Sequence, residues 1–403
     1  MKESHATPSK ATPSKATPSK DPIDFIIVRN DLPIRWQRKV GLAPDNGLGV
    51  TRRALFFAMF TWLPIVIWAA LESRLLDRAA GEPLLAHYGV HVRCLVAIPL
   101  LILAESMALR VVRTIVSQFI ENGLIIDSQR DRFFKIIQDT TQLRDKAFPW
   151  AIVFALTLLW LVGVPENVHE HELSWATLET GMGFGGWWFL YVVRPIFTIL
   201  LLGWLWRIGL IFRLFYLISK LDLALVPAHP DAMGGLGFLQ KLPKAFILVT
   251  LAMSAVLASR WVHDSLYHQI ALDTLKLPLL SFAVLWGLTV VAPLFVFTAK
   301  MISTRKKAMR QYSALLSEHG RLVHHKWILG QNIGERGILD SPELGPSADI
   351  ETIYAAVKKM SLIPIGKSCI MPIIVPIALP MIIVAATQIP LLKILTTLFK
   401  AIV

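Results

Sequence analysis

ALFFAMFTWLPIVIWAAL, Ala54–Leu71, decides the fold: eighteen consecutive residues carry no charge, with Arg52 and Arg53 before them and Glu72 after. At 1.5 Å per residue this helix is about 27 Å long, close to the thickness of bilayer hydrocarbon, where the backbone must satisfy its own polar groups. The same pattern recurs at about Val90–Leu109, Ala147–Pro165, Gly183–Trp206, Ala245–Val262 (cut short by Arg260) and Leu277–Ala299. A seventh stretch, Ile370–Ala386, holds Pro372, Pro376 and Pro380, with Pro390 just beyond. Prolines remove backbone donors, so this stretch is expected to kink or to split into half-helices within a C-terminal transmembrane or hairpin segment, 370–403. The expected fold class is an all-α integral membrane protein. It is a bundle of six or seven transmembrane helices with helical cytosolic extensions.

Composition agrees. Hydrophobic residues make up 54% of the 403, and charged residues 17%, against roughly 25% in soluble proteins. Thirteen Trp and twenty Phe, many near the ends of apolar runs, suit anchors at a membrane interface. The net charge of +13 sits mainly between the apolar runs, where it sets topology and meets anionic headgroups, so no nucleic-acid partner is expected. Cys94 and Cys369 lie in or beside apolar runs and give no disulfide framework. The first apolar run begins too late for an ordinary signal sequence.

Charge also orients the chain. With the N-terminus inside, the inner segments 29–53, 110–146, 207–244 and 300–367 hold 29 Lys and Arg, and the outer segments 72–93, 166–184 and 260–276 hold five. Without the long last segment the bias is still 18 to five, so the N-terminus is expected in the cytoplasm of a cell with this chain in its inner (plasma) membrane.

The organisation follows. Residues 1–53 form an N-terminal tail with three ATPSK repeats at 6–20, too polar to bury anything. Residues 54–109 carry spans one and two, 110–146 a cytosolic helical segment, and 147–299 spans three to six with the 207–244 loop. Within that loop Gly209–Lys220 either continues as a protruding helix or lies in the interface. The segment 300–369 opens on Arg305, Lys306, Lys307 and Arg310. Asp349 is placed to cap a helix bearing Ile350, Ile353, Tyr354, Val357 and Met360, which Pro364 stops. So short a segment buries little alone, so it is expected to pack on other cytosolic helices, on a second copy in a homo-oligomer, or on a cytosolic protein partner.

The most unusual polar stretch is VPAHPDAMGGLGFL, Val226–Leu239. His229 and Asp231 flank a rigid proline, and Gly234, Gly235 and Gly237 permit a tight turn or an N–H cradle for an anion. It lacks the ending of a Walker A loop and the strand of a dinucleotide site. A cap and turn, with Asp231 accepting backbone hydrogens, is preferred to a catalytic or ligand loop. HPDAMGGLGFL together with SADIETIYAAVKKMSLIPI, Ser347–Ile365, resembles a group of uncharacterised bacterial multi-pass inner-membrane proteins with an HPD-x-x-GGLGFL cytosolic loop. The matching positions are His229, Pro230, Asp231, Gly234, Gly235, Gly237, Phe238, Ser347, Ala348, Asp349, Tyr354, Met360 and Pro364. The likeness implies a bacterial membrane setting and no particular activity.

Two charges fall inside spans. Glu105 lies twelve residues below Arg93 and Arg194 eleven below Gly183, both about 17 Å deep, so an intramembrane Glu105–Arg194 pair is expected. Structural glue is preferred to a gated element. Six histidines gather in the outer segments, and His169, His171, His263 and His268 are the weak candidates for zinc or copper. A solvated polar loop is preferred to a metal site there, and no cofactor is expected. The leading functional reading is a channel- or transporter-like bundle for a small ion or solute. The alternatives are a membrane scaffold or sensor docking a cytosolic partner, and a membrane enzyme with a site around His229 and Asp231.

Overall fold

A computed structural model describes residues 31–44, 47–76, 83–163, 173–178, 181–267, 272–331 and 345–386. The ATPSK repeats, His169, His171, His268 and residues 387–403 lie outside them. The described chain is all-α: α1 (Leu32–Lys39), α2 (Val50–Leu71), α3 (Tyr88–Glu121), α4 (Arg130–Asp145), α5 (Ala147–Gly163), α6 (Phe184–Ser219), α7 (Ile247–Tyr267), α8 (Leu272–Phe295), α9 (Thr298–Val323), α10 (Gly345–Lys359) and α11 (Lys367–Ala386). A ten-residue 3-10 segment, Gly237–Phe246, leads into α7. The described strands are a two-residue hairpin, Thr177–Leu178 against Gly181–Met182. Among the described residues six helices are long and apolar enough to cross a membrane, and a seventh is reached if α5 and the helix before it, bent by 44°, form one span.

α3 and α6 run to 34 and 36 residues, well past Leu109 and Trp206 where the apolar runs end. Their extensions keep a helical stripe of buried residues: Val112, Ile115, Val116 and Phe119 in α3, and Leu210, Ile211, Leu214, Phe215 and Ile218 in α6. The stretch from Gly209 therefore continues α6 without a break, as far as Ser219. Phe119 is the hub of this region, with ring centroids 5.0 Å from Phe238, 6.0 Å from Phe297, 6.2 Å from Phe133 and 6.4 Å from Phe215. Five separate segments thus share one aromatic core at or past the ends of the bilayer-length runs, and burying each ring contributes roughly 1.5–3 kcal/mol. The segments that meet here, 110–146, 207–244 and the start of 300–367, are rich in Lys and Arg, and we call this the basic end. At the opposite end Trp175 packs edge-on to Trp68 and Phe189.

Prolines shape three helices in different ways. In α3 and α6 a π-turn, Val92–Ala97 and Phe189–Val193, sits just before Pro99 and Pro195. A proline ring would clash with the carbonyl four residues back, and the wider turn relieves that contact. In α11 the prolines do not break the chain. Pro372, Pro376 and Pro380 repeat every four residues on the buried face, and their fixed φ suits a helix. There α11 lies along α7, whose Ser254 Oγ donates to Ile377 O at 2.8 Å. Half-helices, expected from the prolines alone, are not formed over 367–386.

Candidate functional site

Six charged residues, five of them buried, meet in one chain. Glu105, on α3, accepts from Arg53 Nη1 of α2 at 2.5 Å through Oε2, and from Arg207 Nη2 of α6 at 3.0 Å through Oε1. Arg207 Nη2 also donates to Asp31 Oδ2 at 3.0 Å. The other Asp31 oxygen lies 3.9 Å from Arg144 Nε, and Arg144 Nη2 reaches Asp145 Oδ1 at 2.7 Å. The order is Arg53–Glu105–Arg207–Asp31–Arg144–Asp145, alternating in sign, three of each. Asp31, Arg53, Glu105, Arg144 and Arg207 all have 4% exposure or less.

Local structure explains each placement. Asp31 is the N-cap residue of α1, yet its carboxylate makes no capping bond and turns into the bundle. Ile34, fully buried one turn later, anchors the same helix, and Gln37 Oε1 accepts from Arg53 Nε. Beneath the chain, Trp204 Nε1 donates to Leu101 O at 3.0 Å, and the Arg207 guanidinium lies 4.9 Å from the Trp204 ring centroid. Burial pushes the Asp31 carboxyl above its ordinary value, and Arg207 and Arg144 oppose the shift. An isolated charge here would cost several kcal/mol, and alternation is what makes burial tolerable.

The expected Glu105–Arg194 pair is therefore corrected. Both Glu105 oxygens are taken by Arg53 and Arg207, while the Arg194 guanidinium lies 5.9 Å from the Phe189 ring, nearer the opposite end. The Trp204–Leu101 bond shows why: α6 and α3 run parallel with an offset of about 103 residues, so Arg207, not Arg194, comes level with Glu105. Arg93 sits over the same Phe189 ring at 5.1 Å. By sequence alone Arg207 opens the 207–244 loop and Arg53 flanks the first span. Asp31 falls within the 1–53 tail. A visible signal was present: only Arg213 interrupts the apolar pattern for a dozen residues after Arg207, which argues for continued helix.

The His229–Asp231 loop lies beside the Phe119 cluster, which Phe238 joins, and it turns around its own carboxylate. Asp231 Oδ1 accepts from Met233 N at 2.7 Å and Gly235 N at 3.2 Å, and Oδ2 from Gly237 N at 2.8 Å. His229 Nδ1 stands 2.9 Å from Asp231 Oδ1. Burial would raise this carboxyl, but the three backbone N–H groups and His229 outweigh it and hold Asp231 below its ordinary value. Gly234 and Gly235 have φ of +69° and +93°, and a Cβ on Gly237 would stand 2.9 Å from Asp231 Cβ. Each glycine thus serves the turn around the carboxylate. The loop also joins the two motif segments: Ser361 N donates to Ala232 O at 2.7 Å, and Met360 Cε would stand 2.9 Å from a Cβ on Gly234.

His263 stacks on His87 with centroids 5.0 Å apart at the opposite end. Among the described residues no group of three His, Cys, Asp or Glu could hold a metal. Comparison with family models, curated proteins and solved structures finds no match.

Proposed function

We propose that this membrane protein is a docking platform, with its basic end in the cytoplasm and α9 and α10 as its exposed arm. The excess of 29 basic residues to five supports that orientation. The observation that carries the docking reading is exposed apolar surface on a helix that is not among the six apolar enough to cross a membrane. α9 extends from the last residues of α8 by 26 residues, roughly 39 Å, and carries Leu315 and then Trp327, Ile328 and Leu329 just beyond its end, all largely exposed. Arg305 Nη2 donates to Lys358 O at 2.6 Å, tying α10 alongside. Exposed aromatic and aliphatic clusters on a stiff polar helix are the usual anchors of protein interfaces.

The buried chain supports the same reading. A conduit needs polar groups facing water, but Glu105, the acid inside a span, has both oxygens occupied and 1% exposure. The chain clamps α1, α2, α3, α4 and α6 into one frame on which the arm stands. Catalysis around His229 and Asp231 is disfavoured because Asp231 is consumed by three backbone donors. Transport keeps one supporting observation: alternating charges across several helices at one end would make a gate if an alternate state parted them. We infer, on the same footing, that the joined HPD and SADIETIYAAVKKM segments form the structural signature of the bacterial group the sequence resembles.

A photo-crosslinking residue at position 327, in native membranes, tests the docking reading. Discrete adducts to a second copy or a soluble protein, absent when the crosslinker replaces Arg110, are expected. Lipid adducts alone at position 327 would contradict it.

A further inference from the structure

We propose that the groove between α1 and α2 binds one anionic phospholipid, its acyl chain against α2 and its headgroup at Arg52 and Lys39. The groove has a volume of about 570 Å³ and is lined by Trp36, Val40, Leu42, Leu55, Phe56 and Met59, among others. That size falls within the range of small-molecule sites. Its far wall is rigid, because α1 is pinned by Ile34, by Asp31 on Arg207 and by Gln37 on Arg53.

The two ends of the groove differ in chemistry. Along α2 the exposed Leu55, Phe56 and Met59 continue into Phe60, Leu63 and Ile67, the face turned to hydrocarbon. At its polar end Arg52 lines the groove, and the exposed Lys39 immediately precedes the lining residue Val40; neither makes a hydrogen bond or ion pair among the described residues. Trp36, 68% exposed, stands between the two zones, where an indole favours the headgroup level. Hydrocarbon below and unpaired cations above select an amphiphile with a negative head. A second copy of this chain, itself carrying +13, would bring like charge to the same place. The proposal needs only that the chain spans a bilayer and does not depend on the docking reading.

Native mass spectrometry of the full chain in detergent, with phosphatidylglycerol or phosphatidylcholine of identical acyl chains, tests it. Phosphatidylglycerol is expected to be retained preferentially. Arg52→Gln should weaken it roughly fivefold, and Arg52→Gln with Lys39→Gln roughly 25-fold, leaving phosphatidylcholine unchanged. Trp36→Ala should weaken both lipids, and Lys306→Gln, on the distant arm, neither. Both basic side chains are exposed, so these variants keep the fold. Equal binding of the two lipids by the unaltered chain, or full preference in the double variant, would overturn the proposal.

Discussion

Glu105 and Arg207, 102 positions apart in the chain, meet at 3.0 Å with both side chains almost wholly withdrawn from solvent. The contact fixes α3 against α6 at the level where both leave the bilayer-length runs. Through Arg53 and Asp31 it extends to α2 and α1, so a helix preceding the first span becomes part of the bundle.

Breaking this contact from either side should be costly. Glu105→Gln leaves buried Arg53 without a carboxylate and Arg207 with Asp31 alone, and Arg207→Gln leaves Glu105 with Arg53 alone and Asp31 with only Arg144 at 3.9 Å. Each is expected to destabilise the chain by about 3–5 kcal/mol. The double substitution should cost less than the sum by about 0.5–3 kcal/mol, read as thermal or denaturant unfolding in detergent. Strict additivity would mean that the two side chains do not share one interaction.

The Asp231 loop separates a structural role from a catalytic one. Asp231→Ala removes the acceptor for three backbone donors and should cost about 2–3 kcal/mol. His229→Ala removes a half-exposed partner and should cost under about 1 kcal/mol. Equal losses of stability from the two would show that the turn is not closed by the backbone donors on Asp231.

Gly234→Ala tests the junction between the two motif segments. The new methyl meets Met360 and must adopt φ near +69°, a conformation that costs a side-chain-bearing residue about 1–2 kcal/mol. Protease sensitivity around residues 345–361 should rise, because the contact holding that segment is pushed apart. An unchanged digestion pattern would show that the junction is looser than described.

Acid should loosen the same loop. The folded loop holds the Asp231 carboxyl below its ordinary 3.8, so the folded chain binds fewer protons there than the unfolded chain. Its stabilisation is complete above that value and is lost as pH falls through the lower folded one. Asp231→Asn should therefore flatten the fall in unfolding temperature below about pH 4.

Much of the fold was legible because uncharged runs of bilayer length have one structural solution. Ala54–Leu71 needed no partner to be recognised. The ends of the helices were not legible, since Arg207 reads as a boundary until Glu105 and Asp31 neutralise it. Depth failed for a related reason: counting Glu105 and Arg194 from their own loops assumes a register, and the helix packing sets it differently. The prolines of α11 misled in the other direction, because their four-residue spacing keeps them on one packed face. The Asp231 turn was readable in outline, since aspartate, proline and glycine act through their own backbone.

Ion and solute flux into proteoliposomes holding the full chain tests the account most directly. A sealed charge chain predicts flux no greater than in protein-free vesicles, for the unaltered chain and for any Glu105→Gln protein that folds. Selective flux through the unaltered chain, abolished by Glu105→Gln in a protein that unfolds normally, would contradict it.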